Sequence, residues 1–220
     1  MKMMGKLRLT VWLCLMILLF LMIGFTYETS FIVGIDKEVA SFASSFQSDA
    51  ATTVFLFITN LGSWKFILFF TLILFGYSLY KGDKVLTLFV ILSFIVPRTL
   101  NFMLKEFFAR TRPQDQLVPA THFSFPSGHS MNSFVFFGFV AYVLITYCVS
   151  RKAPQVVVVV LFSMLIGLIG FSRIYLGVHY FTDVTAGFLA GGVVLILLIK
   201  IHQRLTEPEE KNVPMNDELI

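Results

Sequence analysis

Charged residues and cysteines are scarce in this sequence. Only 14% of its 220 residues are charged, whereas 57% are hydrophobic. A soluble domain of this size does not need so much apolar surface, so the composition excludes an ordinary soluble domain and predicts an integral membrane protein. The two cysteines, Cys14 and Cys148, each lie within an apolar run. We expect both to be free core thiols, with neither a disulfide nor a metal site.

The net charge of +4 could indicate a nucleic-acid ligand in a soluble protein. Here most lysines and arginines flank hydrophobic runs, which is typical of membrane topology signals, so we expect no nucleic-acid partner. At the N-terminus, basic residues precede the apolar run 9–27 in the manner of a secretory signal. No small-x-small cleavage site follows that run, so the sequence predicts that it is retained as a first helix.

Six apolar runs are long enough to cross a bilayer, which takes roughly 17 to 25 residues in a helix. They lie at residues 9–27, 64–80, 85–104, 130–149, 154–171 and 184–201. The sequence therefore predicts an all-α integral membrane protein, in which six transmembrane helices form one bundle over residues 1–204. The acidic, proline-containing segment 205–220 is predicted to be a disordered cytoplasmic tail.

The segment 31–63, between the first two predicted spans, is neither a span nor a plain loop. Apolar residues recur in it at helical spacing, namely Ile35, Val39, Phe42 and Phe46. Charged residues such as Asp36 lie off that stripe, so the pattern predicts a short amphipathic helix in the membrane interface. A second short apolar piece, 50–61, ends at a turn signal. The segment could be a structural lid or could contact a substrate, and the sequence leaves both open.

The short connections between spans predict the topology. Residues 81–84 and 151–152 are basic, as are the flanks of the first and last spans, which places these loops and both termini in the cytoplasm. Several other cations then fall on the outer side, including Lys105, Arg110, Arg112 and Arg173. They weaken the charge asymmetry, and a functional cluster on the extracytoplasmic face is the simplest reason for that.

Three groups of polar residues stand where a hydrophobic run meets a loop. Their members are Lys105 with Arg112; Ser127, Gly128 and His129; and Arg173, His179 and Asp183. Counting membrane crossings places all three groups at one surface. Ionisable residues in membrane segments are costly unless they are functional, and the start of a helix offers free N–H groups to an anion. Together the groups favour phosphate binding and phosphoryl transfer, although a capped helix or a His–Asp ion pair would explain a single group.

Lys105 and Arg112 are seven residues apart, which puts them on one helix face if the third span continues to Pro113. Arg98 and Asn101 extend that face inward. An arginine at this depth needs a partner or water. Arg98 could line the floor of a headgroup pocket with Asn101, or it could form a structural ion pair, and the sequence does not decide between the two.

The three groups match a known pattern when they are taken in order. The matching residues are Lys105, six residues, Arg112-Pro113; Pro126-Ser127-Gly128-His129; and Ser172-Arg173, five residues, His179, three residues, Asp183. This set resembles the three-part signature of the type 2 phosphatidic acid phosphatase superfamily, and the resemblance covers about residues 105–183. No signature position departs from the pattern.

The resemblance implies a role for each signature residue. His179 would attack phosphorus and become a phosphohistidine, Asp183 would orient it, and His129 would protonate the leaving alkoxide. The phosphate oxygens would be held by Lys105, Arg112, Ser127, the Gly128 amide and Arg173. Members of this family need no metal and no other cofactor, which agrees with the single carboxylate in the signature, too few for a magnesium site.

The resemblance also implies a membrane enzyme whose substrate is a phospholipid or polyprenyl phosphate. The overall pattern is most similar to bacterial members that remove the terminal phosphate of phosphatidylglycerophosphate and also accept phosphatidic acid. The alternative is an undecaprenyl pyrophosphate phosphatase of cell-wall lipid carrier recycling. A different class is a lipid-phosphate binding or transport protein without turnover. We expect no obligatory protein partner, and a bacterial plasma membrane as the location.

Overall fold

In the computed structural model the chain is all α-helical across the residues described, 2–206, with side chains described from Leu7 onward. The helices of this part are α1 (Lys2–Thr26), α2 (Ser30–Ser44), α3 (Asp49–Leu61), α4 (Trp64–Tyr80), α5 (Lys84–Phe108), α6 (Gly128–Tyr147), α7 (Lys152–Tyr175) and α8 (Phe181–Thr206). Helix α8 thus includes the first two residues of the predicted tail. The remainder of that segment, 207–220, lies outside the described residues.

Five helices within residues 2–206 are individually long and apolar enough to cross a membrane, namely α1, α5, α6, α7 and α8. Helices α3 and α4 pass the same test only as a pair, which is bent by 45° at the break formed by Gly62 and Ser63. Taken as one broken span, this pair brings the number of spans to six. The prediction of an all-α integral membrane bundle is therefore confirmed. The second predicted span, 64–80, coincides with α4.

Helix α5 ends earlier than the sequence predicts. Its C-cap, Ala109, adopts a left-handed conformation with φ of 48°, and the Ala109 N–H donates to Lys105 O at 2.9 Å. The Tyr27 hydroxyl donates to Phe108 O at 3.0 Å and so satisfies one of the carbonyls left free at the helix end. The prediction that Lys105 and Arg112 share one face of a continuing helix is therefore wrong. Arg112 lies in the loop that follows.

Helix α2 presents aromatic side chains outward and a carboxylate inward. Phe42 is 60% exposed and Phe46 is 53% exposed, whereas Asp36 is 2% exposed. The outward residues belong to the predicted apolar stripe, and Val39 at the edge of that stripe packs against a core cluster. The position of Asp36 off the stripe predicts that it lies with the solvated residues. It is buried instead, because it pairs with the buried Arg110.

Helices α6 and α8 pack closely through two glycines. A Cβ atom on Gly187 would lie 2.7 Å from Ser127 O, and one on Gly191 would lie 3.0 Å from Met131 O. Only residues without a side chain allow this approach of the two backbones. The Ser127 N–H also donates to Asp183 O at 3.0 Å. The start of α6 is thereby joined to the start of α8.

Four helix ends meet at one end of the bundle. They are the C-terminal ends of α5 and α7 and the N-terminal ends of α6 and α8. Helix α2 joins them there, because Asp36 accepts two hydrogen bonds from Thr182 at the start of α8. We call this the site end. The connections at residues 81–83 and 148–151 lie at the opposite end.

Cys14 and Cys148 are free thiols on the exposed surface of the helices. The prediction that they occupy core positions is therefore wrong. An outward position is compatible with their apolar neighbours, because lipid tails are as apolar as the interior of a membrane bundle.

Candidate active site

The three groups of residues predicted from the sequence lie together at the site end. Lys105 is in the last turn of α5, Ser127 is the N-cap of α6, and Arg173 is in the last turn of α7. His179 lies in the short connection between α7 and α8, and Asp183 lies in the first turn of α8. The bundle therefore brings together residues that the sequence distributes over four separate helix ends.

His179 is held by a serine and a carboxylate. Ser124 Oγ lies 2.5 Å from Asp183 Oδ2 and 3.2 Å from His179 Nδ1, and Nδ1 lies 3.4 Å from the same carboxylate oxygen. Since the serine proton is donated to the carboxylate, the serine oxygen accepts from His179, which places the imidazole proton on Nδ1. Asp183 also accepts the Tyr180 N–H at 3.0 Å. The lone pair of His179 therefore resides on Nε2.

Burial holds the pKa of His179 well below its ordinary value. The side chain is almost completely enclosed, and the charges of Arg173, Lys105 and Arg112 lower this pKa further. A histidine with a lowered pKa keeps its neutral form to lower pH. His179 is therefore an unprotonated imidazole at neutral pH, as a nucleophile must be.

Arg112 covers the free nitrogen of His179. Arg112 Nη1 lies 3.2 Å from His179 Nε2 and donates to Val178 O at 2.7 Å. Its Nε and Nη2 donate to the carbonyls of His122 and Thr121. None of these partners is a carboxylate. The positive charge therefore remains available to an anion placed against Nε2.

Lys105 and Arg173 supply two further cations, and with Arg112 we call them the signature cations. Lys105 Nζ donates to the carbonyls of Phe123 and Ser124. Arg173 Nη1 donates to Thr59 Oγ1 at 2.6 Å, and the buried Arg173 Nε has no hydrogen-bond partner. Among the side chains described, no signature cation forms a salt bridge. Partly desolvated cations without counter-ions are suited to an anionic ligand.

The first turn of α6 is shaped by close contacts. Ser127 caps the helix, and its Oγ accepts an N–H from that turn. A Cβ atom on Gly128 would lie 2.9 Å from Asn101 Oδ1, so any larger residue would push Asn101 aside. Asn101 is itself fixed, since its Nδ2 donates to Pro126 O at 3.1 Å. Asn101 therefore supports the start of α6 through the groups that it contacts there.

His129 lies between the signature cations and the break in the α3–α4 span. It is close enough to Arg173, Arg112 and Lys105 for their charges to act on it. On its other side, a Cβ atom on Gly62 would lie 3.4 Å from His129 Cδ2. The two histidines of the signature therefore share one site, and the broken span borders the His129 side of it.

Arg98 differs from the other predicted residues because it is exposed. Its guanidinium lies 4.9 Å from the centre of the Trp64 ring, at the start of α4. Of the two alternatives, the structural ion pair is not found among residues 2–206, where an aromatic ring takes the place of a carboxylate. The role of Arg98 in a headgroup pocket stays a prediction.

Arg110 belongs to the site although the signature does not include it. It is 7% exposed, and it donates to Asp183 Oδ1 at 2.7 Å and to Asp36 Oδ2 at 2.8 Å. Its guanidinium lies 4.7 Å from the centre of the Tyr27 ring and 4.1 Å from that of Tyr180. These contacts satisfy a buried arginine and fix the second carboxylate oxygen of Asp183.

Asp36 connects α2 to the start of α8. It accepts the Thr182 N–H at 2.9 Å and the Thr182 hydroxyl at 2.8 Å. The Thr182 N–H is one of the donors left free at the N-terminus of α8, so Asp36 caps that helix from another element. Sequence reasoning misses Asp36, Arg110 and Ser124 as members of the site. The one available signal was a third cation, Arg110, inside the first signature group.

A cavity of about 910 Å³ adjoins the loop that carries His179. It lies between the polar face of α2 and residues 109–117, and its walls include Lys37, Ser41 and Tyr180. The signature cations and His129 do not line it. The cavity therefore adjoins the loop of His179 and is distinct from the group of signature cations.

The histidines, cysteines and carboxylates of the described residues form no group of three that could hold a metal ion. The expected independence from metals stays a prediction that an assay must test.

Known proteins match both the sequence and the structure. The sequence model of the PAP2 superfamily matches residues 85–207. Phosphatidylglycerophosphatase B of Bacillus subtilis (strain 168) is 34% identical over 185 residues, which cover 83% of this chain and 90% of the relative. An undecaprenyl-diphosphatase of Sulfolobus acidocaldarius is 24% identical over 131 residues, which cover 56% of this chain and 59% of the relative.

A solved structure gives the same result. The crystal structure of a transmembrane PAP2 type phosphatidylglycerolphosphate phosphatase from Bacillus subtilis superposes with a TM-score of 0.83 at 30% identity, covering 89% of this chain and 98% of that one. The fold and the site thus define an integral membrane phosphatase with several spans. The chain belongs to the PAP2 superfamily. The family predicted from the signature is therefore confirmed.

Replacing Arg110 by glutamine should lower kcat for phosphate release by about 10- to 100-fold, because Asp183 loses a charged hydrogen bond that orients His179. KM should change little, since Arg110 does not belong to the signature cations. Steady-state kinetics in detergent measure both constants. Lys37→Gln is the matched control, because Lys37 is an exposed cation next to Asp36 on α2. A wild-type kcat in the Arg110 variant would remove Arg110 from this positioning role.

Proposed function

We propose that this membrane phosphatase removes the terminal phosphate of phosphatidylglycerophosphate, and also the phosphate of phosphatidic acid, through a phosphohistidine and without a metal. The observation that carries the proposal is the group of three cations without carboxylate partners around the free Nε2 of His179. A phosphate monoester has the charge and the oxygens that suit such a group. Membership of the PAP2 superfamily and the likeness to phosphatidylglycerophosphatase B support a lipid as the bearer of that phosphate.

In the first step, His179 Nε2 forms a bond to phosphorus while the bond from phosphorus to the lipid oxygen breaks. Ser124 Oγ and Asp183 Oδ2 share the Nδ1–H, and the carboxylate stabilises the imidazolium that forms. His129 donates a proton to the leaving alkoxide. The signature cations hold the phosphate oxygens, and the Ser127 hydroxyl and the Gly128 N–H complete the proposed set of donors.

In the second step, His129, now neutral, takes a proton from water. The water oxygen forms a bond to phosphorus while the bond to His179 Nε2 breaks, and inorganic phosphate is released. His179 returns to its neutral form. In both steps the signature cations stabilise the charge that a metal ion neutralises in other phosphatases.

Replacing His179 by alanine should abolish both phosphate release and the acid-labile phosphoenzyme, because no nitrogen is left to accept the phosphoryl group. Radiolabelled substrate, offered in the presence of excess chelator, allows both to be measured on one sample. His122→Asn is the control, since His122 is exposed and asparagine tolerates its left-handed backbone, with φ of 62°. Turnover by the His179 variant, or loss of wild-type activity in chelator, would contradict the mechanism.

Two alternatives use the same site differently. An undecaprenyl pyrophosphate phosphatase would need the same histidines and cations, and the match to an undecaprenyl-diphosphatase supports it less strongly, at 24% identity over 56% of this chain. A lipid-phosphate binding or transport protein without turnover would bind through the cations alone. It would not need the hydrogen bonds that fix the tautomer of His179.

We expect kcat/KM to be highest for phosphatidylglycerophosphate, lower for phosphatidic acid and lowest for undecaprenyl pyrophosphate, with about 10-fold between the extremes. Phosphate release from the three lipids in the same detergent, at matched mole fractions, measures this order. The His179→Ala variant provides the background rate for each lipid. A higher kcat/KM for undecaprenyl pyrophosphate would replace the proposed substrate by the polyprenyl alternative.

We also propose that both termini lie in the cytoplasm, so that the site end faces the extracytoplasmic side of the plasma membrane. Residues 1–204 would form the phosphatase domain and 205–220 a cytoplasmic tail. The positive-inside rule supports this orientation, because basic residues occupy the end of the bundle opposite the site. They include Lys81, Lys84, Arg151, Lys152, Lys200 and Arg204.

A cysteine at position 114 should react with a membrane-impermeant thiol reagent added to intact cells, whereas a cysteine at position 84 should react only after lysis. Gln114 and Lys84 are both exposed, and they lie at opposite ends of the bundle. The background for both variants replaces Cys14 and Cys148 by alanine. The reverse labelling pattern would place the site end in the cytoplasm.

A further inference from the structure

Two cations lie over one aromatic ring on the surface of the bundle. The guanidinium of Arg98 lies 4.9 Å from the centre of the Trp64 ring, and Lys65 Nζ lies 5.9 Å from it. Both cations are exposed, and neither forms a salt bridge with any carboxylate that the structure describes. We call these three residues the Trp64 cluster. Cations on membrane helices without a counter-ion mark ligand sites and pathways.

Two independent observations place the Trp64 cluster next to the His129 side of the active site. Trp64 begins α4 directly after the break, where a Cβ atom on Gly62 would lie 3.4 Å from His129 Cδ2. Arg98 is one helical turn before Asn101, whose side chain contacts Gly128. Along the bundle, the cluster is thus about a turn or two below the signature cations.

The depth of the cluster suits a phospholipid headgroup. Helical rise places Arg98 roughly 21 Å, and Trp64 roughly 24 Å, from the opposite ends of α5 and α4. In a hydrocarbon core of about 30 Å, these positions are just beneath the boundary on the site side. Long cationic side chains reach from there to the headgroup layer, and tryptophan is enriched at that level of membrane proteins.

The side on which the leaving group departs from phosphorus also indicates the Trp64 cluster. The nucleophile and the leaving oxygen are on opposite sides of phosphorus in a displacement of this kind. With His179 on one side and His129 protonating the leaving oxygen on the other, the remainder of the lipid extends past His129. The break at Gly62 borders His129, and Trp64 follows Gly62 by two residues.

The remainder of phosphatidylglycerophosphate carries a second negative charge. A glycerol unit separates the terminal phosphate from an internal phosphodiester, to which the acyl chains are linked. We propose, on the basis of the proposed function, that Arg98 and Lys65 bind this internal phosphodiester while the terminal phosphate occupies the signature cations. Phosphatidic acid has no second phosphate. The Trp64 cluster is therefore the part of the protein that distinguishes the two lipids.

Membrane anchoring is the competing explanation, because interfacial cations and aromatic residues also fix a helix in a bilayer. The chain offers a matched control for it. At the other end of α4, Lys81 Nζ lies 5.8 Å from the Tyr77 ring centre and 6.0 Å from the Tyr80 ring centre. Lys81 repeats the contact of a cation with aromatic rings, but it lies far from the active site.

The test compares kcat/KM for phosphatidylglycerophosphate and phosphatidic acid with identical acyl chains, in neutral detergent micelles without other anionic lipid. In Arg98→Gln, kcat/KM for phosphatidylglycerophosphate should fall about 10-fold, as expected for the loss of a charge-assisted contact. For phosphatidic acid it should fall less than about twofold. Arg98→Gln combined with Lys65→Gln should increase the selective loss. Lys81→Gln should leave both values unchanged.

An equal fall for both lipids, or no fall for either, would overturn the assignment. Adding phosphatidylglycerol to the micelles separates two sources of the phosphodiester. If the variants differ from wild type only when this bulk lipid is present, the cluster binds neighbouring lipids and the assignment is wrong. The proposed function fails in a different way, namely if wild-type protein does not hydrolyse phosphatidylglycerophosphate at all.

Discussion

Arg110 lies between two buried carboxylates, and the geometry of the site end depends on this ion triad. Asp183 contacts His179 from the first turn of α8, Asp36 comes from α2, and Arg110 follows the left-handed end of α5. Removing one member of such a triad leaves a buried charge unpaired, which typically costs about 3–5 kcal/mol. The position of His179 is therefore coupled to an interfacial helix that contains no signature residue.

The other cations of the site are treated in the opposite way. Arg110 is neutralised by two carboxylates, whereas the signature cations bond to carbonyls and hydroxyls and keep their charge. Because little water screens charges inside a membrane bundle, an anion gains more from them there than at an open surface. The same chain thus pairs one arginine of the site with carboxylates and leaves three cations without a counter-ion among the described residues.

The spans and the meeting of the signature groups could be predicted from the sequence, because the bilayer fixes both the length of a span and the side on which each loop emerges. The remaining features depend on partners in space. Ala109 gives no local signal for a left-handed helix end, so the continuation of α5 was predicted wrongly. An amphipathic pattern assigns Asp36 to the solvated face, and only the buried Arg110 reverses that. The contact between Arg98 and Trp64 depends in the same way on a partner that is distant in sequence, so neither prediction for Arg98 includes it.

The hydrogen bond from Arg112 to His179 Nε2 has a consequence for a site that is surrounded by phospholipids. In the proposed mechanism, Arg112 must therefore move from Nε2 to the phosphate oxygens before that nitrogen attacks phosphorus. A bulk phospholipid offers a phosphodiester with a single negative charge, whereas a terminal monoester offers up to two. In that mechanism a terminal monoester would attract Arg112 more strongly than the phosphodiester of a bulk phospholipid would.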